Sequence, residues 1–324
     1  MIGILCSDTK AETYSSRLQR LFKSFIQNND NSIVVFTIDD IDLIDRKVYG
    51  YILQKSGLKN TSTALPPVIF NFSLQHKKNS IAKMRFLTRM QDISIINNVN
   101  RFNQPMIKQI LLSSGSTAKY ILPFNIYDRD KRDYIPADDK SYVVIPEKGS
   151  SMSKVIYGGQ RKDIEYEKGS RCFKNSYICD YIDAVMEQKR WVFMEIPEMM
   201  EYDNMPVSVR IHMQRGNKGR WTIIGSNIYP EGAGEAEIYT SDLDYAALKI
   251  SDYIGRFMPE MGICFVDLIL DAQGKAYFLH FGGFDESLFY IINKKKSAQK
   301  FYNNLLAPKI NKAGGGKGGR DYVG

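Results

Sequence analysis

The residues best suited to chemistry lie on one predicted β-strand. In the stretch VSVRIHMQ (207–214), apolar residues alternate with Ser208, Arg210 and His212, as on a strand with one face in the core. The three polar side chains therefore share the other face. An arginine there can hold a phosphate or a carboxylate through paired hydrogen bonds. A surface arginine on a half-exposed strand explains the same pattern equally well.

A second candidate is the polar loop GSSMSK, which begins at Gly149. Gly149 and Ser150 offer backbone N–H groups of the kind that surround a phosphate, and Lys148 precedes them. The side chains of Met152 and Ser153 hinder a close approach to the backbone, which favours an ordinary connection between two strands. The sequence contains no GxSxG, HExxH or Walker motif.

The elements before these residues predict a small parallel α/β domain over residues 1–95. The apolar runs IGILC (2–6), SIVVFTI (32–38) and PPVIFNF (66–72) are typical of buried strands. Residues 11–28 have apolar side chains at helical spacing. This strand–helix–strand order is that of a parallel sheet.

The rest of the chain predicts two α+β subdomains over residues 96–310. The expected elements, in order, are a helix at 100–113, strands at 142–158 and 190–199, a hairpin at 207–229, a helix at 241–258 and a hairpin at 262–283. Residues 311–324 hold six glycines without apolar periodicity. This composition predicts a flexible, basic C-terminal arm.

The composition is that of a globular protein. Of the 324 residues, 44% are apolar and 25% are charged, which excludes a disordered or fibrous chain, and no apolar run approaches the ~20 residues of a membrane helix. The four cysteines form no CxxC pair and are expected to be reduced, in the cytoplasm. The N-terminus lacks a basic segment and is interpreted as a strand, not as a signal peptide. Residues 291–324 carry +7 of the net charge of +8, so a nucleic-acid groove in the body is not expected.

The order of these elements resembles the ATP-grasp superfamily, and within it the YheC/YheD type associated with the coat of bacterial endospores. The resemblance covers about residues 66 to 290. It rests on the PPVIFNF strand, the NRFNQP helix start, the GSSMS loop, and the hairpins VSVRIHMQ/RWTIIG and VDLILDAQGKAYFLHF. It implies an α/β N-terminal domain followed by two α+β subdomains that clamp ATP. The reaction it implies activates a carboxylate as an acyl phosphate and ligates it to an amine or a thiol.

The phosphate-binding parts of that family pattern are degenerate here. The helix lysine of the family corresponds to Pro105, and Lys108, one turn later, is interpreted as a solvated lysine that points elsewhere. The lysine before the glycine flap corresponds to Ile145, and the flap keeps only its first glycine. The residues that remain as candidates for binding ATP are Lys148, Gly149, Ser150 and Arg210.

The metal-binding parts are degenerate as well. The resemblance implies an acid on the first strand of the last hairpin and Glu-x-Asn on the second, and this chain has Asp267, His280 and Gly282. One carboxylate cannot organise two Mg²⁺ ions around a triphosphate. Aspartate and histidine also bind Zn²⁺, but two ligands are too few for a site. We therefore expect Asp267 and His280 to face each other without a metal, in a relict cleft that Arg210 also lines.

These losses together predict a pseudoenzyme that needs no cofactor and has a structural, self-assembling role. The resemblance implies a place in the spore coat or a spore appendage after cytoplasmic synthesis. Two alternatives stay open. One is a binder of acidic polymers or nucleic acid that acts through the basic tail. The other is an active ligase that uses ATP and Mg²⁺ with displaced residues, namely Lys108, Lys148, Glu195, Arg210, Asp267, Asp285 and Glu286.

The C-terminal arm is the expected means of self-assembly. An extended arm can add to an exposed strand edge of a neighbouring copy. In this hypothesis Tyr322 fills a pocket, Lys317 and Arg320 meet acidic residues, and Val323 belongs to the same assembly contact. Such a contact is heterologous and generates a ring or an open filament, that is, a homo-oligomer. A tail folded back on its own subunit is the alternative.

Overall fold

A computed structural model gives the fold of the chain. The residues that it describes are 1–7, 10–26, 32–75, 77–131, 134, 136–137, 139–149, 155–159, 171–173, 175–185, 189–203, 205–216, 219–230, 232–233 and 240–314.

The N-terminal part forms one mixed β-sheet with helices. Its elements are β1 (Ile2–Cys6), α1 (Ala11–Phe22), β2 (Ile33–Thr37), β3 (Ile41–Asp42), β4 (Lys47–Gln54), β5 (Gly57–Ala64), β6 (Val68–Asn71), α2 (Lys78–Arg89) and β7 (Ser94–Ile96). The strand order is β3-β4-β2-β1-β6-β7, and β5 pairs with the other side of β4.

The expected parallel sheet is correct for β1, β2, β6 and β7, which pair in parallel. It is wrong for β3, β4 and β5, which pair antiparallel. For β4 and β5 the physical reason is the two-residue turn Lys55-Ser56 between them, since a connection this short can join only antiparallel strands.

The remaining elements build two further sheets. They are α3 (Gln104–Leu112), α4 (Gly115–Ala118), β8 (Phe124–Asp128), β9 (Ser141–Pro146), β10 (Ile156–Gly158), β11 (Arg171–Phe173), α5 (Asn175–Val185), β12 (Arg190–Ile196), β13 (Glu201–Tyr202), β14 (Met205–Pro206), β15 (Ser208–Arg215), β16 (Trp221–Tyr229), α6 (Thr240–Phe257), β17 (Ile263–Leu270), β18 (Ala276–Gly282), α7 (Leu288–Ile291) and α8 (Lys295–Gly314). One sheet has the order β11-β10-β9-β12-β8 and the other β16-β15-β17-β18. β13 and β14 pair with each other.

A cluster of buried asparagines joins the N-terminal sheet to β17. Asn97 accepts hydrogen bonds from the backbone N–H groups of Gly262 and Ile263 at 2.9 and 2.8 Å, and its amide donates to Asn100 at 3.0 Å. Asn100 donates to the carbonyl oxygen of Asn71 at 2.8 Å. Asn97 has a φ of 62°, in the left-handed region that asparagine tolerates better than most residues. One apolar core also spans both parts, since α1, β1 and β6 share it with α7 and α8.

Helix α8 changes the expected start of the C-terminal arm. Its buried residues Ala298, Phe301, Tyr302 and Leu305 recur at helical spacing against the core. The helix continues to Gly314, so the first four residues of the predicted arm are helical and its boundary at 311 is wrong. The rest of the arm, with Lys317, Arg320, Tyr322 and Val323, lies outside the described residues.

Within the described residues, no helix has both the length and the apolar character that crossing a membrane requires.

Candidate relict site

Arg210 lies in the middle of β15 and is the centre of a buried ion-pair network. Its Nε and Nη2 atoms donate to the two carboxylate oxygens of Asp267 at 2.7 and 2.8 Å, and Nη1 lies 3.0 Å from Oδ1 of Asp285. The guanidinium carbon also lies 4.0 Å from the ring centroid of Phe265. Arg210 is only 3% exposed and Asp267 is fully buried. The alternative of a surface arginine is therefore wrong.

The antiparallel pairing explains why the two charges meet. Arg210 on β15 is the direct cross-strand neighbour of Asp267 on β17, and opposite residues lie close enough for their side chains to interact. Burial by itself would lower the pKa of Arg210, but the charges of Asp267 and Asp285 outweigh it and raise that pKa. Burial would likewise raise the pKa of Asp267, but Arg210, assisted by His280, holds it below its usual range. Both groups therefore stay ionised and paired.

His280 extends the network toward the polar loop. It pairs with Asp267 across β17 and β18, and its Nδ1 lies 3.1 Å from Oδ2 of that carboxylate. Its Nε2 donates to the carbonyl oxygen of Gly149. Gly149, at a φ of 145°, adopts a conformation that favours glycine, and Ser150, the next expected phosphate contact, lies outside the described residues.

His212, on the same face of β15, continues the network through a serine. Its Nε2 lies 3.0 Å from the hydroxyl of Ser287, which in turn donates to Asp285. Burial, followed by the charge of Arg210, lowers the pKa of His212 to about 3, so this imidazole is neutral. His212 lies on the face predicted from strand alternation, but no pattern in the sequence pointed to Ser287. That serine sits two residues after Asp285 in the loop beyond the last hairpin, a position typical of an Asx turn.

The donor set does not fit Mg²⁺. Both oxygens of Asp267 accept hydrogen bonds from Arg210, and the second strand offers His280 in place of a carboxylate. A Cβ atom at Gly282 would lie 2.2 Å from the ring of Phe265, so an asparagine there requires that ring to move. Among the residues described, no three His, Cys, Asp or Glu side chains are grouped so that they could hold a metal ion. These residues therefore do not form a Mg²⁺ site.

The two sheets that flank the network pack directly against each other. The shared core contains Val143, Val192 and Met194 from one sheet and Ile269 and Leu279 from the other, all fully buried. Ile145, which replaces the expected lysine, is 1% exposed in the same core. Apolar contact therefore occupies the space between these two sheets.

Lys108 is not the solvated helix lysine of the sequence interpretation. It is fully buried, and its Nζ donates to the carbonyl oxygens of Phe278 at 3.3 Å and Leu279 at 3.0 Å. A register shift between Asp267 and Leu268 leaves Leu279 as an extra, unpaired residue on β18. Lys108 therefore satisfies a carbonyl group that this bulge frees. Burial lowers the pKa of Lys108 to about 7.

Lys108 shares its face of α3 with Gln104, another polar residue that binds β18. Gln104 precedes Lys108 by one helical turn and also binds β18, since its amide donates to Phe281 O at 2.8 Å and accepts from Phe281 N at 3.0 Å. Residues four apart lie on one helix face, and Leu111 continues this face with a buried apolar side chain.

The other displaced residues do not join the network. Lys148 is exposed, and its carbonyl oxygen accepts a hydrogen bond from Arg101 at 3.0 Å. Glu195 pairs with Lys140 at 2.7 Å, and Glu286 pairs with Lys10 at the surface. The structure thus brings together Arg210, Asp267, His280 and Asp285.

A cavity of about 390 Å³ lies at the ends of β9, β10 and β12. Four acidic residues, Asp139, Glu195, Glu198 and Glu201, line it together with Lys140. None of the residues of the Arg210 network lines this cavity. A surplus of negative charge repels the phosphates of a nucleotide.

Solved structures that are similar to this chain include ATP-grasp proteins. D-alanyl-alanine synthetase A from Vibrio cholerae O1 biovar eltor is similar with a TM-score of 0.56 and 12% identity, over 96% of this chain and 98% of that chain. A RimK domain ATP-grasp protein from Sphaerobacter thermophilus has a TM-score of 0.53 and 9% identity, over 94% and 100%. The ATP-grasp ligase PsnB, solved with a minimal precursor, Mg and ADP, has a TM-score of 0.52 and 10% identity, over 95% and 98%. No family model matches the chain, and no curated protein matches its sequence. These likenesses show the ATP-grasp fold.

Proposed function

We propose that the protein is a pseudoenzyme, which keeps the ATP-grasp fold without its nucleotide chemistry and serves as a structural, self-assembling subunit. The observation that carries the proposal is the pairing of Arg210 with Asp267 and Asp285 in a buried site. An arginine neutralised by two carboxylates has no net charge left to offer a phosphoryl group. The same pairing withholds Asp267 from a metal ion.

Opening this network for a ligand is costly. Breaking one partner away from a buried ion pair costs about 3–5 kcal/mol, because an uncompensated charge remains. A nucleotide would also have to separate the apolar faces around Ile145 and Leu279. The free energy that these changes require would reduce the affinity of the site for a nucleotide.

The active-ligase alternative gains no support from the geometry. It requires Lys108 near the phosphates, but that ammonium group faces the carbonyl groups of β18. Lys148 and Glu195 are at the surface or paired elsewhere. The place in a spore coat or appendage rests on the sequence resemblance and stays a prediction, as does assembly through the arm.

Nucleotide binding tests the proposal. We expect no change in the melting temperature of the full chain in millimolar Mg-ATP or Mg-ADP, measured by differential scanning fluorimetry. A ligand at 100 times its Kd stabilises a protein by about 2.7 kcal/mol, so a rise of several degrees would contradict the proposal. Magnesium triphosphate is the matched control, because it reports binding of polyanions to the basic tail without a nucleoside.

A further inference from the structure

Strand β5 presents an unusually open edge. It is the outermost strand of its sheet, and among the described strands it pairs only with β4. Its sequence, GLKNTSTA, contains no proline and one charged residue, Lys59. Pairing with β4 runs without a bulge over all eight residues. Natural edge strands are usually protected by charges, prolines or bulges, and an unprotected edge is a template for another strand.

The hydrogen-bond pattern shows which backbone groups of β5 point outward. Just beyond the strand, the N–H of Leu65 donates to the carbonyl oxygen of Arg46 at 2.8 Å, so odd-numbered residues of β5 bond to β4. The N–H of Tyr49 donates away from β5, to Asp40 at 3.0 Å, which fits the same alternation. The outward residues are therefore Leu58, Asn60, Ser62 and Ala64.

We propose that β5 is a homodimerisation edge, which pairs antiparallel with β5 of a second copy around a twofold axis. Only outward residues can exchange backbone hydrogen bonds, so each must face another outward residue. Complete overlap then places Leu58 opposite Ala64 and Asn60 opposite Ser62 of the second copy. This arrangement forms roughly eight backbone hydrogen bonds.

This register is self-complementary. Thr61 lies on the twofold axis, opposite its own copy, and Lys59 lies opposite Thr63. No like charges face each other, which would oppose pairing. β-branched threonines also favour a paired strand. The edge therefore fits a second copy of this chain through an isologous contact.

The inference deepens the self-assembling role and rests on it, but it involves neither the C-terminal arm nor the Arg210 network. Failure at β5 leaves the nucleotide-binding result unchanged, and binding of Mg-ATP leaves dimerisation through β5 unchanged. The two proposals can therefore fail separately.

Cysteine cross-linking tests the register. Residues at a non-hydrogen-bonded antiparallel pair have Cα atoms about 4.5 Å apart, within the range of a disulfide. We expect Thr61→Cys to form a covalent dimer under mild oxidation, seen on a non-reducing gel and absent from the wild type. Thr63→Cys is the matched control, because its two copies would lie about 13 Å apart. Equal cross-linking of the two variants, or none in Thr61→Cys, would overturn the proposal.

Paired charge substitutions test the interface without a covalent bond. In N60D/S62K, the carboxylate introduced at position 60 faces the ammonium group introduced at position 62 of the second copy, and we expect the dimer to tighten by about tenfold. In N60K/S62K, the lysine at position 60 of each copy faces the lysine at position 62 of the other, and we expect a monomer. Both positions are exposed, so folding is preserved, and circular dichroism checks this. Sedimentation velocity measures the mass across a concentration series, and identical behaviour of the two variants would refute the edge.

Discussion

Replacing Lys108 by methionine should remove the pH dependence of the free energy of unfolding that comes from titration of this lysine. Burial lowers the pKa of Lys108 from 10.5 to about 7. Between these pH values the unfolded chain binds a proton that the folded chain does not, so the free energy of unfolding rises with pH. One pH unit corresponds to about 1.4 kcal/mol. The wild type should therefore gain about 3 kcal/mol relative to Lys108→Met between about pH 7 and pH 9.5.

Urea unfolding of both proteins at a series of pH values measures this difference. Groups that titrate equally in both chains cancel in the comparison, so only the lysine remains. Methionine also leaves the carbonyl of Leu279 without its donor, which costs about 1–3 kcal/mol at every pH. That cost shifts the curves apart without changing their slopes. Curves that stay parallel would refute the lowered pKa of Lys108 in the folded chain.

The matched control is Lys119→Met, which removes one lysine from the surface next to α4. An equal change of slope in both variants would show that the loss of any cation, and not the burial of Lys108, sets the pH dependence.

Other substitutions probe the network, the packing and the arm. Arg210→Met should lower the free energy of unfolding by about 3–5 kcal/mol, because Asp267 remains buried without its arginine partner. Adding Asp267→Leu should recover most of this loss in urea unfolding, and no recovery would contradict the ion pair. Gly282→Ala should cost about 1–3 kcal/mol by overpacking against Phe265, and the cost should fall in a Phe265→Leu background. Deleting residues 312–324 should reduce the assembly size measured by light scattering, and an unchanged size would contradict a role of the arm.

The strands with strong apolar patterns could be predicted from the sequence. β1 has the predicted bounds, and β15 to β18 lie within one or two residues of the two predicted hairpins. These strands alternate apolar and polar residues or are apolar throughout, so burial of one or both faces dictates their structure. The resemblance to the ATP-grasp superfamily rests on the order of these elements. β5 was missed because its polar sequence, GLKNTSTA, has no apolar period, and pairing with β4 determines its structure instead.

The site could be predicted only in part. The shared face of Arg210 and His212 follows from strand alternation, and the opposition of Asp267 and His280 follows from their hairpin. The role of Lys108 depends on a bulge in a strand about 170 residues away, and no local pattern encodes that contact. The contact between Arg210 and Phe265 could not be predicted either, because nothing in an apolar strand sequence indicates that an arginine stacks on one of its residues.

The asparagine cluster at Asn97 and Asn100 has a consequence for cooperativity. If the N-terminal sheet separated from β17, the buried side-chain amide of Asn97 and the backbone N–H groups of Gly262 and Ile263 would lose their hydrogen bonds. The apolar core that the sheet shares with α8 would be exposed at the same time. Local unfolding of either part therefore carries much of the cost of global unfolding. The chain should therefore melt in a single calorimetric transition, although it contains an N-terminal α/β part and a C-terminal α+β part.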